Sequence, residues 1–328
     1  MSLRLIRATS LLLVSATLLP AAAFTHDEEA QKFLELALAG QRNFHAVIVQ
    51  NRMGPDERTD MLVKIQIVPS KGMKSTVLQP LSMQGFVVID DGEESKVYDP
   101  DREEVLIQPS PNKFLPSTSI RSRQIKSNYA VEYGRHRVLA GRSCHEVVLS
   151  PKEAKMPQRR LSIDNSKRLI LRYVIVPASG EAIVFTDVKS VIFDQGEANE
   201  DFGLPAAAQE KRVRRMEGPQ VVSDPMSVKG EVGFSLKRPK SLPFGFDVHA
   251  IHLVGHDKEK SLAIRTSDGM SFVTVYVRKG EGRNRPSSGS RASVERNGIR
   301  FSAVTMAGDP IPREVLTGPA ESVSRSML

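Results

Sequence analysis

The densest group of metal-ligating side chains in the sequence is His249, His252 and His256. Metal ligands converge at about 2 Å from one ion, and the spacing H-x-x-H-x-x-x-H does this readily on a helix. Here the surrounding residues are Val, Ala, Ile, Leu and Val, which favour a strand. Positions i and i+3 of a regular strand face opposite sides. We therefore predict a strand without a metal site.

Cys144 and His145 are the residue types that form a cysteine nucleophile and its base. They are neighbours within 142–149, a segment with the composition of a strand. Adjacent strand residues point to opposite faces of a sheet, so we expect Cys144 to be a structural thiol. It is the one cysteine of the chain, so no intrachain disulfide can form.

Paired carboxylates are the third candidate for chemistry, because acid–base catalysis uses carboxyl groups whose environments separate their pKa values. The pairs at 90–91, 93–94 and 103–104 lie in turn sequences and at strand ends, where we expect solvated positions. The sequence contains no glycine-rich phosphate loop before a helix and no G-x-S-x-G elbow. We predict a protein that is not an enzyme and holds no cofactor.

The composition excludes further classes. The 328 residues include 46 Lys and Arg against 38 Asp and Glu. The net charge of +8 is spread along the chain and is too small to indicate nucleic acid binding. Aromatic residues are 5% and tryptophan is absent, so a stacking platform for single-stranded nucleic acid is not expected. At roughly 100–200 residues per domain, the length predicts two domains.

Residues 1–23 have the features of a secretory signal peptide. Arg4 and Arg7 precede the apolar run 11–19, and three alanines at 21–23 predict cleavage near Ala23. The apolar run is well short of the roughly 20 residues needed to span a bilayer. An uncleaved membrane anchor is the alternative. We predict an exported, soluble protein.

The residues that follow predict one helix and then a series of strands. Thr25 and Glu28 match a capping box, Gly40 is a helix stop, and apolar residues recur between them at helical spacing. Strand-like segments separated by Asp, Gly and Pro turns follow at 44–50, 61–68, 85–89, 96–98, 104–107, 129–133, 145–149, 160–163, 169–176, 183–186 and 188–193. The stretch 108–126 is predicted to be irregular. We assign residues 24–205 to a large domain whose antiparallel sheet is covered by the helix or wraps around a cavity.

A smaller domain is predicted at residues 229–328, after a linker at 206–228. The linker contains the basic run 211–215 (KRVRR). Solvation is its simplest explanation, and a membrane surface or a partner is the alternative. Strand-like segments lie at 246–254, 261–266, 271–277 and 298–305, a polar loop at 279–293, and a short helix around 312–327.

Several motifs in this order resemble the MucB/RseB family, whose large domain resembles the lipoprotein carrier LolA. In the large domain they are GFVVIDDG at 85–92 followed by VYDP at 97–100, LAGR at 139–142 with VVLSP at 147–151, and RLSID at 160–164 with LILR at 169–172. In the small domain they are LPFGF at 242–246 and the SDGM turn at 267–270. The likeness covers most of the chain after residue 23, and the two-domain order favours MucB/RseB over a LolA protein alone.

The resemblance implies an α+β fold. Its first part is a large curved antiparallel sheet, a LolA-like half-barrel with a covering helix, and its second part is a smaller α+β C-terminal domain. It also implies a periplasmic negative regulator of an envelope-stress sigma factor, the sigma-E type. Such a regulator binds the periplasmic domain of a single-pass membrane anti-sigma factor and senses a lipid or hydrophobic peptide. For the partner-facing residues we nominate Leu242, Pro243, Phe244, Phe246, Asp268 and Gly269. Ordinary strand and turn chemistry explains the same residues equally well.

Two other functions remain open at this point. A periplasmic carrier of lipids or lipoproteins would use the same cavity and would need only the first domain. An exported hydrolase is disfavoured, because no nucleophile and base are brought together by the sequence pattern. A homodimer is left open, and no nucleic acid partner is expected.

Overall fold

The structure is a computed structural model that describes residues 27–40, 45–53, 60–178, 180–193, 202–208, 211–255, 260–280, 291–305 and 311–327. The predicted signal peptide, Thr25 of the predicted capping box, His256 and most of the predicted loop at 279–293 lie outside the described residues.

The first helix, α1, spans Glu28–Gly40, where the apolar spacing predicts a helix. Asp27 caps it, because its carboxylate accepts hydrogen bonds from the backbone N–H groups of Glu29 (2.9 Å) and Ala30 (3.1 Å). One stripe of the helix is fully buried and packs on the large sheet: Ala30, Leu34 and Ala37.

Twelve strands form one large curved sheet. They are β1 (Ala46–Met53), β2 (Asp60–Val68), β3 (Gly72–Gln79), β4 (Val87–Asp90), β5 (Glu94–Asp99), β6 (Glu104–Pro109), β7 (Tyr129–Leu139), β8 (Arg142–Pro151), β9 (Gln158–Asp164), β10 (Ile170–Val176), β11 (Ile183–Ile192) and β12 (Arg212–Arg215). Their spatial order is β12-β6-β5-β4-β3-β2-β1-β11-β10-β9-β8-β7, and every pair is antiparallel except β12 with β6. The predicted α+β class with a large curved sheet is confirmed.

The stretch 108–126, predicted to be irregular, instead contains a 3-10 turn at Pro111–Phe114 and a second helix, α2, at Thr118–Asn128. Only two of the eleven residues of α2 are apolar, so the sequence has no amphipathic stripe to reveal it. The helix begins after Ser117, whose hydroxyl accepts a hydrogen bond from the N–H of Ile120 (3.4 Å). It is held by tertiary contacts with α1, with β7 and with the small domain.

The predicted linker is divided between the two sheets. Its basic residues form β12 at the edge of the large sheet, in parallel register with 104–107 of β6. Five residues later β13 (Gln220–Val221) pairs with the small sheet. Residues 216–219 alone connect these two paired strands.

The small domain is a six-stranded antiparallel sheet with a helix packed against it. The elements are β13, α3 (Lys229–Val232), β14 (Asp247–Val254), β15 (Ser261–Ser267), β16 (Phe272–Lys279), β17 (Arg291–Arg296), β18 (Ile299–Thr305) and α4 (Arg313–Arg325). The strand order is β13-β14-β15-β16-β18-β17. The core of this domain is made mainly of aliphatic residues, with Phe234, Phe246 and Phe301. Helix α4 lies where the sequence predicts the last helix.

Candidate functional site

The nominated segment 242–246 is a turn that packs inside the small domain. Phe246 is 1% exposed, and Leu242 and Phe244 are half-buried against the core. Phe244 lies against α4 at Gly318, where an added Cβ would come 2.8 Å from the phenylalanine ring. Packing within the domain therefore accounts for most of this motif.

The second nominated segment, the turn at 267–271, is buried between the two domains. The Asp268 carboxylate accepts hydrogen bonds from the N–H groups of Met270 (2.9 Å) and Ser271 (2.6 Å), and from the hydroxyl of Tyr129 on β7 (2.6 Å). Burial raises the pKa of Asp268. Burial, together with the Asp268 charge, raises the pKa of Tyr129 well above its usual value.

Polar side chains of α2 hold this turn by donating to backbone carbonyls of the small domain. The donors are Arg121 to Gly269 (3.2 Å), Gln124 to Ser267 (3.0 Å), and Asn128 to both Gly245 and Asp268 (2.9 Å each). Asn128 thus joins the two nominated segments. We call this set of contacts between α2, β7 and the turn at 267–271 the domain joint.

Two further side chains extend the domain joint into the large domain. Arg159 of β9 is 1% exposed and contacts the hydroxyls of Tyr173 and Ser271. Met270 enters the apolar cluster beneath α1. The small domain therefore completes the core of the large domain.

The residues nominated as partner-facing differ in how much of their surface is exposed. In this structure Phe246, Asp268 and Gly269 face protein on all sides, because they form internal and interdomain contacts. A partner-facing role for Asp268 and Gly269 requires the domains to separate, whereas Phe246 belongs to the core of the small domain. Leu242, Pro243 and Phe244 keep exposed surface. For all six residues the partner-facing role remains a prediction.

A groove of about 1460 Å³ opens between the domains. Its lining comes from the end of β6 and the turn after it, including Pro109 and Phe114, from residues 216–220, and from the small sheet at Phe272 and Tyr276. We call it the interdomain groove. No sequence motif predicts this groove, because its walls come from three separate stretches of chain, and two of these have the sequence character of irregular structure and of a linker.

One of the clustered histidines, His249, lines this groove, and the buried His252 contacts Phe114 of the same wall. A β-bulge in β14 between Val248 and Ala250 makes His249 the extra residue. His249 and His252 both contact Phe114, the first through the Phe114 carbonyl and the second through the ring. The expectation that they face opposite sides is therefore wrong, because the bulge shifts the alternation between them.

The protonation states of these histidines follow from their partners. A carbonyl oxygen only accepts, so Nε2 of His249 donates to the Phe114 carbonyl (3.0 Å) and Nδ1 carries the lone pair. That Nδ1 is buried and has no hydrogen-bond partner among the described residues. Burial lowers the pKa of His249, and burial followed by the charge of Arg265 lowers the pKa of His252 to about 4. Both rings are neutral at pH 7.

The carboxylate pairs have structural roles, and the expectation of solvated positions is wrong for Asp90. It is 4% exposed and accepts hydrogen bonds from Ser110 (2.8 Å), Asn112 (2.7 Å) and the Gly92 N–H (2.8 Å). The other pairs form ion pairs with the basic run 211–215, which contains the edge strand β12: Glu103 with Lys211, Glu104 with Arg214, and Glu94 with Arg215.

The remaining candidates for chemistry are explained by packing. Cys144 is fully buried and reduced, and its pKa is raised by burial and by Asp164, so it is a poor nucleophile. Among the described residues, no three His, Cys, Asp or Glu side chains are grouped to hold a metal ion. None of the described helices has the length and apolar character needed to cross a membrane.

The family model of the MucB/RseB N-terminal domain matches residues 36–211. No curated protein matches the sequence.

Three solved structures share a fold with about nine-tenths of this chain. A MucA/MucB complex of Pseudomonas aeruginosa has a TM-score of 0.62 at 13% identity, covering 89% of this chain and 97% of that one. MucB in complex with the periplasmic part of MucA gives 0.57 at 14% identity, and MucB alone gives 0.54 at 14% identity. Each of these two covers 92% of this chain and 98% of the other. The shared fold therefore includes both sheets.

Proposed function

This chain belongs to the MucB/RseB family, and from that premise we propose that it is a periplasmic regulator that binds the periplasmic part of a membrane-bound anti-sigma factor. Two of the structural relatives are complexes of MucB with MucA. The binding shields the anti-sigma factor from proteolysis, and the sigma factor remains captive. The protein acts by binding and not by catalysis.

The observation that carries the proposal is the interdomain groove. At about 1460 Å³ it exceeds the roughly 300–1,000 Å³ of a small-molecule pocket, so it suits a polypeptide segment. Its wall combines the aromatic side chains of Phe272 and Tyr276 with the polar side chain of Thr274. Such a wall suits a segment that carries apolar side chains.

Because both domains and their connector line the groove, an occupant holds the two sheets in one arrangement. A lipid or hydrophobic peptide that enters the same apolar groove displaces the partner. The anti-sigma factor is then released if the ligand competes with it for the groove, or if the two prefer different arrangements of the domains. We include this release in the proposal.

The carrier alternative predicts that residues 229–328 are dispensable. The domain joint argues against it, because deletion would remove Met270 from the core beneath α1 and would leave Arg159 without its Ser271 contact. We expect the truncated chain to be destabilised and to bind lipid no better than the full chain.

The first test is mass spectrometry of what copurifies with the full chain, tagged at its C-terminus, from gently solubilised native envelopes. A single-pass membrane protein with a cytoplasmic sigma-binding region supports the regulator. Phospholipids or lipoproteins without such a protein would contradict it and favour the carrier.

The second test places the partner in the groove. Tyr276 is 37% exposed on the groove wall and Leu81 is 84% exposed on a turn of the large domain outside the groove. Tyr276→Ala should weaken binding of the copurified partner by about 1–2 kcal/mol, roughly 5- to 30-fold, as for an aromatic anchor. Leu81→Ala, the matched control, should leave the affinity unchanged. Equal affinities for both variants would exclude this groove as the binding site.

A further inference from the structure

Two histidines face each other across strands β7 and β8, away from the interdomain groove. His136 and His145 are direct cross-strand partners, with ring centroids 5.2 Å apart and ring planes at 79°. Neither belongs to the cluster that the sequence singled out. His136 is exposed and His145 is half-buried on the face that α1 covers.

A β-bulge creates this pairing. Tyr133 pairs with Val147 and His136 with His145, so two residues of β7 lie opposite Glu146 alone. In a regular ladder Arg135 would lie opposite His145. Gly134 permits the bulge, because an added Cβ there would lie 2.7 Å from the Glu146 carboxylate.

One chain of hydrogen bonds orients both imidazoles. His145 Nδ1 donates to Oδ1 of the Asn165 side chain (2.8 Å), and Nδ2 of the same side chain donates to Ser143 Oγ (2.9 Å). Ser143 Oγ in turn lies 2.8 Å from His136 Nε2. This fixes the tautomer of His145 with its lone pair on Nε2. Ligating histidines are held in this way, with the second ring nitrogen bonded to a neighbouring oxygen.

The ring separation fits two imidazoles on one metal ion. With a metal–nitrogen distance of about 2.0–2.1 Å, the ion lies ~3.2 Å from each ring centroid. Nitrogen–metal–nitrogen angles between the square-planar and the tetrahedral value then place the two centroids roughly 4.5–5.2 Å apart. The observed 5.2 Å lies at the tetrahedral end of this range.

We propose that His136 and His145 bind one divalent late transition metal ion through His136 Nδ1 and His145 Nε2, with water in the open positions. Imidazole nitrogen suits Cu²⁺, Ni²⁺ and Zn²⁺, and the affinity order places Cu²⁺ first. Aromatic packing explains why His145 contacts Tyr133 and Phe33. It does not explain an exposed His136, which the same hydrogen-bond chain holds over the His145 ring.

Charged side chains of both signs lie near the pair. Arg168 lies over the Phe33 ring at 4.5 Å and opposes a bound cation. The carboxylates of Asp27 and Glu29 are close enough to help raise the pKa of Tyr133, after the larger effect of its burial, and they favour a cation. The pair is therefore open to a metal ion on electrostatic grounds.

The test is a Cu²⁺ titration followed by calorimetry and electron paramagnetic resonance, on protein without a histidine tag and in a His26→Ala background. That background removes the histidine three residues beyond the predicted cleavage point, which together with a free amino terminus would bind copper by itself. We expect one ion per chain and hyperfine structure from two nitrogens. His136→Ala or His145→Ala should weaken binding at least ~10-fold, and Asn165→Ala about 10-fold through loss of ring orientation.

Controls separate the site from general effects of the substitutions. The double variant His136→Ala/His145→Ala should bind Cu²⁺ about as weakly as either single variant, because removal of one ligand already leaves only non-specific binding. His252→Gln, a histidine remote in the fold, should bind as the parent does. Saturating Zn²⁺ should raise the melting temperature of the parent but not of His136→Ala, whose substitution lies at an exposed position. Unchanged Cu²⁺ affinity in His136→Ala would overturn the proposal.

Discussion

The domain joint predicts that a single methyl group at Gly269 uncouples the two domains. Gly269 has φ of +103°, and an added Cβ would lie 2.8 Å from Ile125 Cγ1, 2.9 Å from the Arg121 carbonyl oxygen and 2.9 Å from the Ile125 nitrogen. Two of these three atoms belong to the backbone of α2, so no side-chain rotation relieves the contact.

The cost of Gly269→Ala has two parts. The backbone conformation costs about 1–3 kcal/mol for a residue with a Cβ, and the forced shift of α2 costs about 1–3 kcal/mol more. Gly298→Ala isolates the first part, because Gly298 has φ of +69° and its added Cβ meets no described atom within 4 Å. We expect the excess loss in Gly269→Ala to appear as separation of the domains.

Denaturant unfolding and amide hydrogen exchange measure this effect. The chain has no tryptophan, so circular dichroism follows the unfolding. Gly269→Ala should split one transition into two and speed exchange in α2 and in the turn at 267–271. Gly298→Ala should lower stability in one transition and leave exchange in α2 unchanged. If both variants lose the same stability and exchange alike, the domain joint does not couple the domains.

Three further outcomes follow from other parts of the structure. The pKa of His252 is about 4 in the folded chain, against about 6.5 in the unfolded chain. The free energy of unfolding is therefore unaffected by this group above pH 6.5 and falls by about 3 kcal/mol as the pH drops towards 4. A His252→Gln variant whose urea midpoint depends on pH as strongly as the parent's would contradict this. Asp164 is 1% exposed and accepts hydrogen bonds from Arg142 and from the turn that follows; Asp164→Asn should lose about 2–3 kcal/mol in urea unfolding, and an unchanged midpoint would refute it. At Gly72, with φ of +100°, an added Cβ would lie 2.1 Å from the Asp90 carbonyl oxygen, so Gly72→Ala should lower the melting temperature more than Gly298→Ala does; a smaller shift would show that the β3–β4 hairpin yields easily.

The sequence predicts those parts of the fold whose reasons are local. The helix at 28–40 follows from apolar spacing, and most strands of both sheets follow from β-branched runs between Asp, Gly and Pro turns. The strand β3 (GMKSTVLQ) has no clear alternation of apolar residues, so it is identified only by its pairing with β2 and β4.

The parts that escaped prediction depend on contacts between distant segments. Helix α2 has little apolar surface of its own, and its polar side chains are explained only by the carbonyls of the turn at 267–271. The bulges at His249 and at Gly134–Arg135 depend on partner strands, and each reverses which side chains share a face. The interdomain groove is lined by three stretches of chain, so no single sequence motif predicts it.

The short connector between the two sheets has a consequence for how far the molecule can open. From Arg215, paired in the large sheet, to Gln220, paired in the small one, there are five peptide steps, which reach about 18 Å when fully extended. Each domain thus stays within a small volume around the other, and their mutual effective concentration is in the millimolar range or above. The domains therefore separate only a short distance and reassociate quickly. A bound segment needs to contribute only a modest binding free energy to change how long the molecule stays open.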